Sequence, residues 1–235
     1  ILCPNIEIIT PIRDLKLSRE AEIEFLKENQ VEMNFEKALY SVYKGLWGTS
    51  VGGKETLTSN QYLPETAFPS QLEKTEADKT EVILHFKQGE IVAINETVFS
   101  HPSEAILYLE SLATPFAIGR DIHVGDTIIG IKGRVGFEAA APMVILKSHH
   151  ALEKHVLTKW QLSWKDQLAQ FYGNWMHEGQ ILDPVMRDIE AFLQHSQETV
   201  TGDVFVQLHP YRFQVIGIES KHDLMSAKFG RYGEM

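Results

Sequence analysis

The stretch Glu81-Val82-Ile83-Leu84-His85-Phe86-Lys87-Gln88-Gly89-Glu90-Ile91-Val92-Ala93-Ile94 decides the fold class. Two apolar, β-branched runs, Val82–Phe86 and Ile91–Ile94, flank Lys87-Gln88-Gly89-Glu90, a pattern that predicts a β-hairpin. Downstream, Pro102 opens a predicted helix over Ser103–Leu112. Residues 127–137 (Thr-Ile-Ile-Gly-Ile-Lys-Gly-Arg-Val-Gly-Phe) read as strand, turn and strand. The longest predicted helix runs from His149 to about Phe171, with Leu152, Val156, Trp160, Trp164, Leu168 and Phe171 recurring every three or four residues. Asp183-Pro184 caps a further helix with Val185, Ile189 and Phe192 as its apolar stripe. A closing hairpin pairs Val204–Leu208 with Phe213–Ile218 around His209-Pro210-Tyr211-Arg212, and the tail from Lys221 to Met235 has no clear period. Strands interrupted by helices, without strict βαβ alternation, predict an α+β class from about residue 80 onward.

Upstream the pattern differs. Residues 6–12 read as a short buried strand ending at a proline, and Ser18 caps a helix through about Asn29, with Ala21, Phe25 and Leu26 on one face. That pair is expected to be the last strand-helix unit of an α/β domain occupying 1–40, with a second domain over 41–235. The stretch from Tyr40 to about Lys79 is rich in Gly, Ser, Thr and Glu, shows no period, and reads as a long connection of the kind that often carries function.

Composition narrows the classes. With 235 residues, Lys+Arg 22 and Asp+Glu 32, the net charge is 22 − 32 = −10. An acidic chain lacks the basic face that a nucleic-acid binder requires. Hydrophobic residues at 43% and charged at 23% are ordinary for a globular protein. No apolar run approaches the roughly 20 residues a bilayer demands, so no membrane partner is expected. One cysteine, Cys3, excludes an intrachain disulfide framework and fits a reducing compartment, which makes a cytoplasmic location the expectation. No secretory signal is expected at the front, and a start at Ile1 raises the expectation of a longer parent protein.

Several stretches could carry chemistry. Gly48-Thr-Ser-Val-Gly-Gly53-Lys54 satisfies G-x-x-x-x-G-K of a phosphate loop. Its next residue should be a hydroxyl for magnesium and is Glu55, whose carboxylate would repel phosphates, so the match reads as a decoy. Of the ten histidines, His149 and His150 adjoin and His155 follows five after His150, which is not metal-site spacing on a helix; solvated or capping roles are expected and no metal site. No G-x-S-x-G elbow occurs. The Trp160/Trp164 stripe predicts a packed core or a subunit seam. In Tyr40-Ser41-Val42-Tyr43-Lys44-Gly45-Leu46-Trp47-Gly48-Thr49-Ser50-Val51-Gly52-Gly53, two hydroxyls stand nine residues apart among glycines that let a ligand approach the backbone. The segment Gly119-Arg120, then Ile128 to Arg134, then Phe137-Glu138 reads as a hairpin whose Lys132 and Arg134 share a face suited to a carboxylate or phosphate. A solvated loop and an ordinary hairpin remain the alternatives on physical grounds.

These last two stretches resemble the carboxyl-terminal half of the argininosuccinate synthases. That family typically reads Y-S-x-D-x-N-L-W-G-x-S-x-E-G-G, of which this chain keeps Tyr40, Ser41, Leu46, Trp47, Gly48, Ser50 and Gly53. It then reads G-R-x-D-x-V-E-N-R-x-V-G-x-K-S-R-G-x-Y-E-T-P-G-G, of which Gly119, Arg120, Val124, Gly130, Lys132, Arg134 and Glu138 are kept. Collinear matches include Thr10-Pro11-Ile12-Arg13, Leu152-Glu153, Tyr172-Gly173 with Trp175, Gln197 with Val200-Thr201-Gly202, and Gly217 with Ser220. The resemblance implies a synthetase/multimerisation domain with an antiparallel sheet and long helices, and a ligase joining citrulline to aspartate. ATP, with magnesium, adenylates the ureido oxygen, pyrophosphate leaves, and the aspartate amine displaces AMP. Such chemistry is positioning and electrostatics, so no side chain here is expected to be catalytic in the strict sense. The resemblance also implies a homotetramer, and it places the ATP and aspartate sites in an amino-terminal half whose S-G-G-x-D-x-S loop does not occur in this chain. By itself the chain is therefore expected to be inactive.

The implied citrulline contacts are Ser41, Ser50 and the positions of Gly125 and Phe137, and the last two depart from the family. There the Glu of V-E-N-R and the Tyr of Y-E-T-P face the α-amino end of citrulline. A carboxylate and a phenol have become a hydrogen and a phenyl ring, and removing one partner of a buried charge pair typically costs about 3–5 kcal/mol. The Asp and Asn of S-x-D-x-N are Tyr43 and Gly45, the Glu of E-G-G is Gly52, and T-P-G-G is Ala139-Ala140-Ala141-Pro142. Two readings follow: a decayed member that keeps fold and assembly, or a substrate without an α-ammonium, such as an N-acyl-citrulline. Retention of the serines beside loss of the amino-recognising groups favours the second.

Overall fold

The structure is a computed structural model and describes residues 5–32, 40–127, 129–226 and 233. Cys3, residues 33–39 before the expected domain boundary, and most of the tail after Ser226 lie outside the described residues. Helices α1 (Pro11–Leu15) and α2 (Arg19–Glu28) come first. The strand predicted at 6–12 does not form. Backbone groups of a strand need a neighbouring strand, and none among the described residues pairs with this segment. Ile6, Ile8 and Ile9 stand in solvent, and Pro11 begins α1. The helix at Ser18 does form, its hydroxyl accepting from the Ala21 N–H at 3.2 Å, but Phe25 on its apolar face is exposed.

The stretch from Tyr40 to Lys79 is more ordered than its composition predicts. Strands β1 (Ser41–Gly45) and β2 (Gly48–Gly52) form a hairpin in register from Ser41↔Gly52 to Gly45↔Gly48. Gly48 sits at φ 121°, and a Cβ there would stand 2.8 Å from the Ala139 Cβ. Glycines hide the two-residue period in the sequence, yet Thr49 and Val51 alternate inward. Three single 3-10 turns, Lys54–Leu57, Glu65–Ala67 and Glu76–Asp78, carry the chain onward.

The deciding hairpin forms as predicted. β3 (Thr80–Lys87) and β4 (Glu90–Ile94) meet at Gln88 and Gly89, whose φ of 52° and 84° give the left-handed turn that matches strand twist. After β5 (Thr97–Val98) comes α3 (Pro102–Ala113), where the Glu104 carboxylate accepts from the Ser100 and His101 N–H groups. The next hairpin is β6 (Arg120–Asp126) and β7 (Lys132–Glu138), one strand earlier than expected. Thr127 and residues 129–131, read as part of a strand, lie in the turn, with Thr127 N–H and hydroxyl both donating to the Ile131 carbonyl.

The long helix predicted over 149–171 is two helices, α4 (Ala140–Val156) and α5 (Lys159–His177). Leu157 is extended, and Thr158 and Gln161 cap each other's N–H groups at 3.3 and 3.0 Å, starting a new helix. α6 (Val185–Ser196) starts behind Asp183, whose carboxylate accepts from the Val185 N–H, and β8 (Gly202–His209) with β9 (Arg212–Glu219) is the closing hairpin.

Two antiparallel sheets result, in the orders β5-β4-β3-β8-β9 and β1-β2-β7-β6, and with the helices they make an α+β fold. Helices α3 and α4 cover the five-stranded sheet over a core that includes Leu84, Ile94, Leu109, Phe116, Val144, Leu152 and Leu208. The four-stranded sheet has a much smaller cluster, Val51, Leu63 and Ala67, flanked by Tyr40, Phe68 and Ile122.

Candidate functional site

Register alone gathers the sequence candidates. Tyr43 pairs with Ser50, Ser50 with Phe137, and Phe137 with Asp121, so these four stand in one row across β1, β2, β7 and β6. Alternation along each strand puts Ser41 on the face of Tyr43, and His123 and Gly125 on the face of Asp121. Val51, paired with Gly136, points the other way into the small cluster. All four candidates, Ser41, Ser50, Gly125 and Phe137, therefore share one face of the small sheet.

That face holds two depressions. One, of about 470 Å³, contains Ser50 and Phe137 with Tyr43, Trp47, Thr49 and Ala139. The other, about 440 Å³, contains Ser41 with Tyr40, Gly52, Lys54 and Glu20 of α2. The two serines are thus on one face but in adjacent hollows. Gly125 lies in neither, and the His123 ring stands over it, with Nε2 at 3.0 Å from where a Cβ would be. Sequence reading missed Tyr43 and Trp47 as cavity walls, as well as His123 and Asp121. Tyr43 and His123 lie two residues from Ser41 and Gly125, but only the fold brings Tyr43 and Trp47 to one hollow with Phe137 and sets Asp121 opposite it. Beside the Ser41 hollow, the Tyr40 hydroxyl donates to Glu55 at 3.4 Å, and burial first, then the Glu55 charge and hydrogen bond, push the phenol's pKa upward.

The basic residues of the second motif have partners within the fold. Arg120 is buried and donates Nε to Glu138 at 2.7 Å, Nη1 to Glu65 at 2.5 Å and Nη2 to the Ser70 carbonyl at 2.6 Å, while its guanidinium stacks 4.7 Å from the Phe68 ring. It ties the 65–70 loop to the sheet. Gly119, at φ 78°, lets Arg120 enter, because a Cβ there would lie 2.5 Å from the Ala139 carbonyl. Lys132 and Arg134 were expected to face a ligand anion. They point to the face away from the serines, where Lys132 pairs with Asp126 and Arg134 donates to the Gln61 carbonyl at 2.9 Å.

The phosphate-loop match is a coincidence of letters. Gly48–Gly52 is itself a strand and Lys54 starts a 3-10 turn, so no loop of N–H groups cradles a phosphate and ATP does not fit there. The histidines are less solvated than expected. His85 meets Asp203 at 2.7 Å and His209, buried, meets Glu76 at 3.0 Å. His150, Glu153 and Asp166 come close enough to suggest a cation site, but Glu153, fully buried, already binds the Lys165 ammonium at 2.6 Å and the Gln197 amide at 2.9 Å. Beside it, burial holds the His149 pKa below its ordinary value against the pull of Glu153.

The comparisons with known proteins agree with this architecture. The profile of the family described as "Arginosuccinate synthase C-terminal domain" matches residues 40–235. The argininosuccinate synthase of Methanocaldococcus jannaschii is 34% identical over 235 residues, covering 100% of this chain and 59% of the relative. Those of Dictyoglomus thermophilum (34%, 98% of this chain) and Xanthomonas campestris (32%, 97%) are each covered over 58% of their length. The chain thus spans somewhat more than half the length of the curated relatives it matches. The motifs, the sheet that carries them and these matches agree, and the chain belongs to the argininosuccinate synthase family.

Proposed function

We propose that this chain supplies the ureide-binding face of an ATP-dependent ligase that joins a citrulline-type substrate to aspartate in arginine biosynthesis. The observation that carries this is the single cross-strand row Tyr43, Ser50, Phe137, with Ser41 beside it, on the face of the sheet opposite the Val51, Leu63 and Ala67 cluster. The serine hydroxyls are placed to donate to and accept from a neutral ureido group or a carboxylate. ATP with magnesium, and the aspartate site, would belong to residues outside this chain, because the one stretch here that spells a phosphate loop is a strand. The division at 40/41, a homotetramer and a cytoplasmic location are part of the same proposal. A single cysteine supports the last, and no described helix is long and apolar enough to cross a membrane.

Within this reading the preferred substrate is an N-acyl-citrulline over citrulline. The support is Gly125, which brings no carboxylate of its own to an ammonium, and a phenyl ring at Phe137. Incubating the full-length protein with ATP, magnesium, aspartate and either ureide, and following AMP and pyrophosphate, tests it. AMP release that requires both aspartate and a ureide is expected. No AMP with any ureide overturns the ligase reading, and equal, weak calorimetric binding of citrulline and N-acyl-citrullines overturns the altered substrate.

A second reading, a decayed homologue kept as an assembly module, is favoured by one observation. Trp160 and Trp164 on α5 are 67% and 57% exposed, and no residue of that helix is buried within the chain. These two rings do not pack into the core, which is what a subunit seam would require. Light scattering that finds a tetramer in an AMP-silent protein would support the module.

A further inference from the structure

We propose that the hollow between Tyr43, Trp47, Phe137 and Ala139 is a subsite for an apolar acyl group carried on the α-nitrogen of the ureide. The proposal rests on the ligase reading and deepens it.

Four features of the cavity support this occupant. Its walls are two aromatic rings on either side of Ser50 in one cross-strand row, although Tyr43 and Phe137 come from distant parts of the chain. Two large aromatics stay in water at its rim, Tyr43 at 73% and Trp47 at 52% exposure, which is unfavourable unless something apolar covers them. The lining itself holds the Tyr43 and Ser50 hydroxyls and Lys44 but no carboxylate, and the nearest one in the row, Asp121, stands beyond Phe137, so an amide finds a hydroxyl partner in the hollow whereas an ammonium finds no counter-charge in its walls. At about 470 Å³ the hollow has room for more than a hydroxyl-sized group. Moreover, Tyr43, Gly45, Phe137 and Ala139, positions where the chain leaves the motif, all line this one cavity. Carboxylate and amide side chains would make it polar; the residues present make it aromatic and wide.

An acyl-nitrogen substrate fits this arrangement. Its amide can bond to the Ser50 hydroxyl, and its alkyl end covers the Tyr43, Trp47 and Phe137 rings. No covalent step is added to the ligation, since the acyl group only positions the ureide.

The test uses the full-length protein and three ureides, citrulline, N-acetylcitrulline and N-butyrylcitrulline, with wild type, Trp47→Ala and Tyr43→Ala. Both altered residues are exposed, so folding is retained, and circular dichroism checks it. The acyl substrates should exceed citrulline in kcat/KM by roughly tenfold or more, the discrimination that one or a few methylenes in an apolar pocket provide. Each variant should lose about that factor for N-butyrylcitrulline through KM, and a clearly smaller factor for citrulline, so that the acyl preference itself falls. An equal loss for all three ureides, or none, overturns the subsite while leaving the ligase reading standing. If Trp47→Ala instead dissociates the assembly without altering acyl preference, a second copy of the chain covers the rim and the proposal fails. If no ureide yields AMP, the ligase reading fails. Calorimetry then decides the subsite separately, through whether Tyr43→Ala weakens N-acyl-citrulline binding roughly tenfold.

Discussion

The two sheets are built by different means. The five-stranded sheet buries Leu84, Val82, Val206 and Leu208 beneath α3 and α4, so its residues are held by apolar area. The four-stranded sheet buries little beyond Val51, Leu63 and Ala67, and it is held by polar ties, chiefly Arg120 to Glu138, Glu65 and Ser70, and Arg134 to the 55–61 loop. The comparison teaches that the site face stays open because its sheet does not depend on being covered. A layer of helices there would add burial and remove the hollow.

Breaking the polar ties should have the largest effect. Arg120→Ala leaves the buried Glu138 carboxylate without its main partner and should lower stability by about 3–5 kcal/mol in urea unfolding followed by tryptophan fluorescence. Replacing both residues with apolar ones should recover most of it. Full retention of stability in Arg120→Ala would show that the small sheet does not rest on this pair. Truncating each core comes next. Leu84→Ala should cost about 2–5 kcal/mol, and Val51→Ala roughly 1.5 kcal/mol for two methyl groups, by the same measurement. Equal losses would erase the distinction between the sheets.

Smaller again is Thr158→Ala, which removes the cap that divides α4 from α5 and should cost about 1 kcal/mol in thermal unfolding. The smallest is a pH effect in the larger region. His149 is held neutral by burial, with its folded pKa below the ordinary value near 6.5. The unfolded chain thus takes up the proton first. Its contribution is fully present above about 6.5 and is lost as pH falls through the folded pKa. His149→Gln should flatten that part of the stability profile between neutral and mildly acidic pH. An unchanged profile would place the acid sensitivity on other groups.

How much was legible beforehand varied with the physics of each element. The β3/β4 and β8/β9 hairpins, α3 and the start of α2 were readable because local signals, a turn or a cap between periodic runs, agree with their surroundings. The β1/β2 hairpin was hidden because Gly45, Gly48, Gly52 and Gly53 dilute a period carried only by Thr49 and Val51. The break at Thr158 was hidden because the apolar recurrence of α4 runs in phase into α5, and a capping box is a weaker signal than six matching residues. Residues 6–12 carried a strand's letters but have no partner strand among the described residues. At the site, Ser41, Ser50 and Phe137 were legible as positions, whereas Tyr43 and Trp47 were not, since nothing local says that Tyr43 and Phe137 face one hollow.

By itself the sequence determined the acidic, globular character, the α+β class and the family pattern, all of which rest on composition, local periodicity and motif spacing. Only the tertiary structure decided which loops and turns Arg120, Lys132 and Arg134 bind, and that the departures at Tyr43, Gly45, Phe137 and Ala139 meet in a single cavity. Strand register is the physical reason. It is fixed by non-local hydrogen bonds and by which face is buried, and shifting any strand by one residue would send Ser50 or Phe137 to the opposite side.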